Sequence, residues 1–216
     1  LGIPDKQVEN LTSMMTGFGL VLPRTSRITP LGKYIVTKDP YFENIGILWI
    51  VHYIVSSNPK WVVWHRIVNK VIPFQDSFDI DKVSRQFFAD LAIHFSEKTI
   101  SNKLPKEVGA VFAAYSRSEL SRLNILAEDG TGSFLKTSPV DIPSAAFFYC
   151  VLYFRDIYFP GSTAVNIVDL CQAEFSPGLV FNLPEYQVRT ILGDLHNRGL
   201  VRLEQFANLD QVRFST

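Results

Sequence analysis

Two apolar stretches, Ile45–Val55 (broken only by His52) and Ala145–Phe154, most constrain what this chain can fold into. Each holds roughly half of the about 20 apolar residues that a membrane-spanning helix needs. Both therefore predict helices buried in a protein core. The rest of the 216 residues can supply that core, since 47% are apolar, 13% are aromatic and only 19% are charged. One large domain or two modest ones fit this length. Low-complexity disorder is excluded, with Phe alone occurring 17 times. Lys plus Arg and Asp plus Glu both number 21, so the net charge is zero. That excludes a strongly basic nucleic-acid coat and a strongly acidic mimic at the scale of the whole chain. Cys150 and Cys171 are too few for a disulfide framework or a structural zinc site. The start, Leu1-Gly2-Ile3-Pro4, lacks the basic-then-apolar pattern of a secretory leader. A cytoplasmic protein without a membrane span is expected.

Caps and periodicity divide the chain into three parts. The expected fold class is mainly α with small β-hairpins, a helical core flanked by a partial N-terminal winged helix and a C-terminal winged helix. In the first part, 1–37, Val8, Leu11, Met14, Met15 and Phe18 form one apolar stripe on a helix beginning near Pro4 or Asp5. Gly17 and Gly19 end it. Leu20-Val21-Leu22 and Arg27-Ile28-Thr29 read as short antiparallel strands about a turn at Pro23–Ser26. Thr29 caps a further helix with Leu31, Tyr34 and Ile35 inward. The helices that should precede a recognition helix are not there, and with no initial Met the chain reads as cut from a longer one.

The second part, 38–161, is a helical core with one hairpin. Helices are expected from Pro40 through Val55, over Lys60–Ile72 after an Asn58 cap, and after Asp79 or Asp81 with Val83, Phe87, Leu91 and Phe95 inward. Further helices are expected over Pro105–Tyr115 and Ile142–Tyr158. Leu123–Ala127 and Ser133–Thr137 read as a β-hairpin about a glycine-rich turn. In the third part, 162–216, Ser162 caps a short helix to Cys171. Pro184 opens a second helix with Val188, Ile191, Leu192 and Leu195 inward, closed by Gly199. Strands Leu200–Phe206 and Gln211–Ser215 flank Ala207-Asn208-Leu209-Asp210. Helix, turn, helix and hairpin in that order is the winged-helix pattern.

Candidate sites follow from these placements. On a recognition helix at 5–16 the outward face would carry Lys6, Gln7, Asn10 and Ser13, side chains suited to base edges and phosphates. Arg24 and Arg27 would sit in a wing against the backbone. Residues 1–40 carry five basic and three acidic residues, and 141–216 five basic and eight acidic. The acidic module is a poor independent DNA binder and is better suited to protein docking or to simple support of the fold. Lys60, Trp61, Trp64, His65, Arg66 and Lys70 interleave aromatics with positive charge, as a surface tracking a nucleic-acid strand does. A core position for both tryptophans, with the cations at the rim, is the favoured reading. Asp76, Asp79 and Asp81 could hold Mg²⁺ or Mn²⁺ through oxygen ligands, although capping and loop solvation explain them equally well. The four histidines lack zinc spacing, and Gly130-Thr131-Gly132 lacks the Lys-Ser/Thr of a phosphate loop. No catalytic residues are visible, and no cofactor is evident beyond a divalent metal if the protein is a nuclease.

Thr29-Pro30-Leu31-Gly32, Asp39-Pro40-Tyr41, Leu48-Trp49, Ser57-Asn58-Pro59 and Asn208-Leu209-Asp210-Gln211-Val212-Arg213 together resemble the DUF4007 family over most of the chain. These motifs are caps, turns and a wing, so they speak to family and not to mechanism. The resemblance implies a component of a bacterial DNA phosphorothioation system, an anti-phage modification in which sulfur replaces a non-bridging phosphate oxygen. It implies DNA as a partner, DNA nicking before sulfur insertion, and work beside a cysteine desulfurase, an ATPase and a PAPS-reductase-like enzyme. Two other roles fit the residues. One is a non-catalytic adaptor holding those proteins. The other is a winged-helix transcriptional regulator, for which a homodimer would space two recognition helices about 34 Å apart.

Overall fold

In a computed structural model the protein is described over residues 4–25, 27–206 and 209–214. The two apolar stretches become its central helices, α3 (Ile45–Ser56) and α7 (Ser144–Tyr158), packed on each other. Trp49, Tyr53, Phe147, Cys150 and Phe154 are almost fully buried there, in one apolar cluster that runs from Ile35 to Phe214. Burial at roughly 25 cal/mol per Å² of apolar surface makes this cluster the main support of the fold.

The N-terminal segment starts with α1 (Asp5–Gly17). Val21 and Ile28 then form an antiparallel bridge, and α2 (Pro30–Lys38) follows, with Thr29 accepting a hydrogen bond from the Gly32 amide at 3.0 Å. The apolar stripe on α1 is present but does not turn inward. Val8, Leu11, Met14 and Met15 stay 40–50% exposed, and only the end of the helix, at Gly17 and Phe18, meets the core. In α2 Ile35 is buried and Leu31 packs half-buried against the core, as expected, whereas Tyr34 is 47% exposed. Ser26, at the expected turn, lies outside the described residues.

Between Asp39 and Asn44 the chain makes a turn where a helix was expected from Pro40. The buried Asp39 carboxylate accepts the Glu43 amide at 2.7 Å and the Asn44 amide at 3.2 Å, and Phe42 adopts φ +54°. Asn44 then caps α3. The Lys60–Ile72 helix is broken into α4 (Val62–Arg66), a π-helical turn Ile67–Val71 and a 3₁₀ turn Ile72–Phe74. The cause is Asn69, whose side-chain amide donates to the His65 carbonyl at 3.0 Å and competes with the helical backbone bond. Asp79 caps α5 (Ile80–Ala92), which buries Val83, Phe87 and Leu91, while Phe95 lies past its end and is 53% exposed.

Helix α6 (Glu97–Arg117) begins eight residues before the expected Pro105, at a Ser96 cap. Burial of Ile100 and Leu104 outweighs the one backbone bond that an interior proline forfeits. The predicted hairpin is β2 (Leu126–Glu128) with β3 (Phe134–Lys136), and Asp129 accepts the Thr131 and Ser133 amides across its turn. A two-residue strand, β1 (Ser77–Phe78), completes a sheet of order β1-β3-β2.

The C-terminal part opens with β4 (Ala164–Asn166), not with a helix capped by Ser162. Its pairing with the last strand, β6 (Leu209–Phe214), puts Val165 opposite Val212 in the core. Helices α8 (Ile167–Gln172), α9 (Pro177–Val180) and α10 (Glu185–Asn197) follow, then β5 (Val201–Phe206) and β6, in a sheet of order β4-β6-β5. Val188, Leu192 and Leu195 of α10 are fully buried, and Gly199, at φ +73°, ends the helix as expected. Ala207, Asn208 and Ser215 lie outside the described residues. The protein is thus mainly helical, with two small antiparallel sheets.

Candidate nucleic-acid interface

Because α1 stands off the core while α6 packs into it, a groove of about 1560 Å³ opens between them. Its floor is aromatic. Phe18 stacks on Trp61 with ring centroids 6.3 Å apart and meets Trp64 edge-on at 5.7 Å. Gly17 makes this contact possible, since a Cβ there would overlap the Trp61 indole. Trp64 is buried, and Trp61 is half-buried, packed against the core while also lining the groove, so the core reading describes Trp64 in full and Trp61 in part. The rim carries Arg24, Lys60 and Lys103, all exposed. Lys103 comes from the turns of α6 that precede Pro105, a stretch not expected to be helical, and for that reason it was not among the predicted site residues.

A buried chain of hydrogen bonds fixes the Trp64 wall. The Trp64 indole N–H donates to the Tyr115 hydroxyl at 2.8 Å, and that hydroxyl lies 2.6 Å from His52 Nδ1. His52 Nε2 in turn lies 3.1 Å from the Val180 carbonyl. A carbonyl only accepts, so Nε2 carries the proton and Nδ1 accepts from Tyr115. Burial holds the His52 pKa down at about 4 and pushes the Tyr115 hydroxyl well up, so both are neutral at ordinary pH. His52 and Tyr115 are fully buried, and the chain of bonds is a structural network joining four helices.

The other predicted residues are placed differently. Ser13 lines the groove, whereas Lys6, Gln7, Asn10 and Arg27 are exposed outside its lining. Arg66 pairs with Asp90 at 2.8 Å and lies over the Phe87 ring. Lys70 pairs with Glu174 at 3.3 Å, a carboxylate that also receives His65 Nε2 at 3.3 Å. Neither cation lines the groove. Asp79 caps α5, Asp76 pairs with Lys136 at 3.1 Å, and Asp81 lies in the first turn of α5. Among the described residues no three His, Cys, Asp or Glu side chains gather as a metal site. No helix there is long and apolar enough to cross a membrane.

Charge is partitioned along the chain. Every Lys and Arg after Lys106 is ion-paired, but before it only Arg66 and Lys70 pair with a described carboxylate. The most connected pairs lie in the C-terminal part. Arg189 joins Glu185 and Asp210, and Arg213 with Gln211 holds the Glu204 carboxyl down at about 2.

The whole molecule is similar in fold to two crystal structures. These are magnesium ion-bound SspB, at 16% identity, and SspB, at 15%, each with a TM-score of 0.76. Each comparison covers 99% of this chain and 72% of the other. No curated protein matches. The family described as "Protein of unknown function (DUF4007)" matches residues 8–216, and the chain belongs to it.

Proposed function

We propose that the protein is a DNA-contacting subunit of a bacterial phosphorothioation system and binds DNA through its N-terminal half. The observation that carries this is the partition of charge. The cations free of described carboxylates all lie at or before Lys106, and Arg24, Lys60 and Lys103 converge on one groove. Phosphate neutralisation supplies most of the affinity of such proteins, and only unpaired cations supply it without first breaking an ion pair. DUF4007 membership and the likeness to SspB support the choice of system. In this reading 1–37 is a partial winged helix with α1 as its recognition helix, 38–161 is the helical core, and 162–216 is a full winged helix.

The C-terminal module favours a second role within the same protein. Its outward α10 cation, Arg189, is occupied by Glu185 and Asp210, while Tyr186 and Phe206 are more than 60% exposed. That surface suits protein docking, and the desulfurase, ATPase and PAPS-reductase-like enzyme are the candidate partners. The similar SspB takes magnesium, but Asp76, Asp79 and Asp81 as they stand do not form a site for it. No hydrolytic step is derived from them.

The test is a gel shift on plasmid DNA in EDTA, repeated with Mg²⁺ or Mn²⁺ to look for open circles. A salt-sensitive shift, weakened by Arg24→Ala with Lys60→Ala, is expected. No shift at protein concentrations above about 100 µM in low salt would overturn DNA binding. Nicking lost on joint mutation of the three aspartates would instead make them ligands.

A further inference from the structure

We propose that the groove between α1 and α6 takes a single DNA strand with its bases unstacked, Trp61 serving as a stacking platform and Arg24, Lys60 and Lys103 meeting the phosphates. This rests on the DNA-binding reading and narrows its substrate. The lining decides between strand and duplex. A duplex hides its base faces and offers sugar and phosphate, against which an apolar aromatic floor gains nothing. A single strand exposes π-faces that stack on aromatic side chains, worth about 1–3 kcal/mol per base. Phe18, Trp61 and the half-exposed Phe95 give the groove such a floor.

Size and charge point the same way. The volume of about 1560 Å³ exceeds the roughly 300–1,000 Å³ of small-molecule sites, as a polymer channel would. Glu107, Arg117 and Glu119 also line it, but Arg117 pairs with Glu128 and Glu119 with Arg122. Glu107 is then set against three cations free of described carboxylates, a surplus that favours a polyanion over an apolar peptide. The floor is preorganised as well. Trp64 is pinned through Tyr115, and Gly17 with Phe18 fixes the tilt of Trp61, so little ordering remains to be done on binding.

The experiment titrates the chain with a labelled oligo-dT of about 15 nucleotides, within the site sizes of strand-binding grooves. A duplex of the same length is titrated at the same salt. Tighter binding to the strand is expected, with tryptophan fluorescence quenched and the quench lost in Trp61→Phe. Trp61→Ala should weaken strand binding about tenfold, the worth of one stacked base. Because Trp61 packs on Phe18, Lys103→Glu is tested beside it, as that side chain is exposed; it too should weaken the strand. Equal affinity for duplex and strand, or a strand affinity indifferent to both variants, overturns the proposal. Duplex binding without strand binding overturns it and leaves the DNA-binding reading standing. Binding of neither removes both.

Discussion

The Tyr115 hydroxyl serves two partners at once, accepting from Trp64 and donating to His52, so its removal strands the buried Trp64 indole N–H and leaves His52 Nδ1 only the long 3.4 Å contact with the Ser56 hydroxyl. Tyr115→Phe should lower unfolding stability by about 2–3 kcal/mol, read from the urea midpoint at unchanged m-value. His52 gives the same network a pH dependence. Its folded pKa of about 4 lies below the ordinary 6.5, so the unfolded chain takes up a proton that the folded one refuses. The contribution is full above pH 6.5 and is lost as pH falls toward about 4, amounting to about 3 kcal/mol. His65, lowered chiefly by burial, works in the same direction. Urea melts across that window should show the loss, and His52→Gln should flatten it. A third prediction concerns Gly17. Gly17→Ala forces the Trp61 indole aside and should cost about 1–3 kcal/mol in thermal or urea unfolding. None of these couplings was legible in the sequence. His52 stood out only as the polar residue in an apolar run, and its partner lies 63 residues away.

Elements were legible where a side chain acts on its own backbone. Thr29, Asp79 and Gly199 mark helix ends by local hydrogen bonding or by a left-handed φ, and the structure has all three in those roles. Elements were misread where something distant decides. Pro40 and Pro105 look like helix starts, but the buried Asp39 carboxylate turns the first into a loop and a Ser96 cap absorbs the second into α6. Strands β1 and β4, two and three residues long, are too short to show an alternation, and they exist because β3 and β6 offer them an edge. The aspartate run belongs to this scale too. If Asp79 is a cap and not a ligand, Asp79→Ala should cost about 1 kcal/mol of stability whether or not metal is present. Asp76→Ala, which breaks an exposed pair, should cost less than about 1 kcal/mol. A metal-dependent rise in the wild-type melting temperature that Asp79→Ala abolishes would reverse the assignment.

At the scale of the whole molecule a net charge of zero conceals two unlike halves. Composition showed the balance and the sign of each end, but which cations are spent on ion pairs is a property of the packed structure. The candidate groove was legible only in part for that reason. Ser13, Arg24 and Lys60 were among the expected residues and line it, Arg66 and Lys70 are paired elsewhere, and Lys103 was missed. The partition yields a prediction about salt. Each cation that releases a counterion from a single strand adds about 0.7 to the slope of log K against log salt. Replacing Arg24, Lys60 and Lys103 by alanine should therefore lower that slope by about 2 for a single strand. Arg198→Ala with Arg202→Ala removes two cations at least half exposed, each already paired within its own module. That pair of substitutions should leave the slope unchanged. An equal fall in both variants would mean that paired and unpaired cations meet the DNA alike, and the division of labour between the halves would be lost.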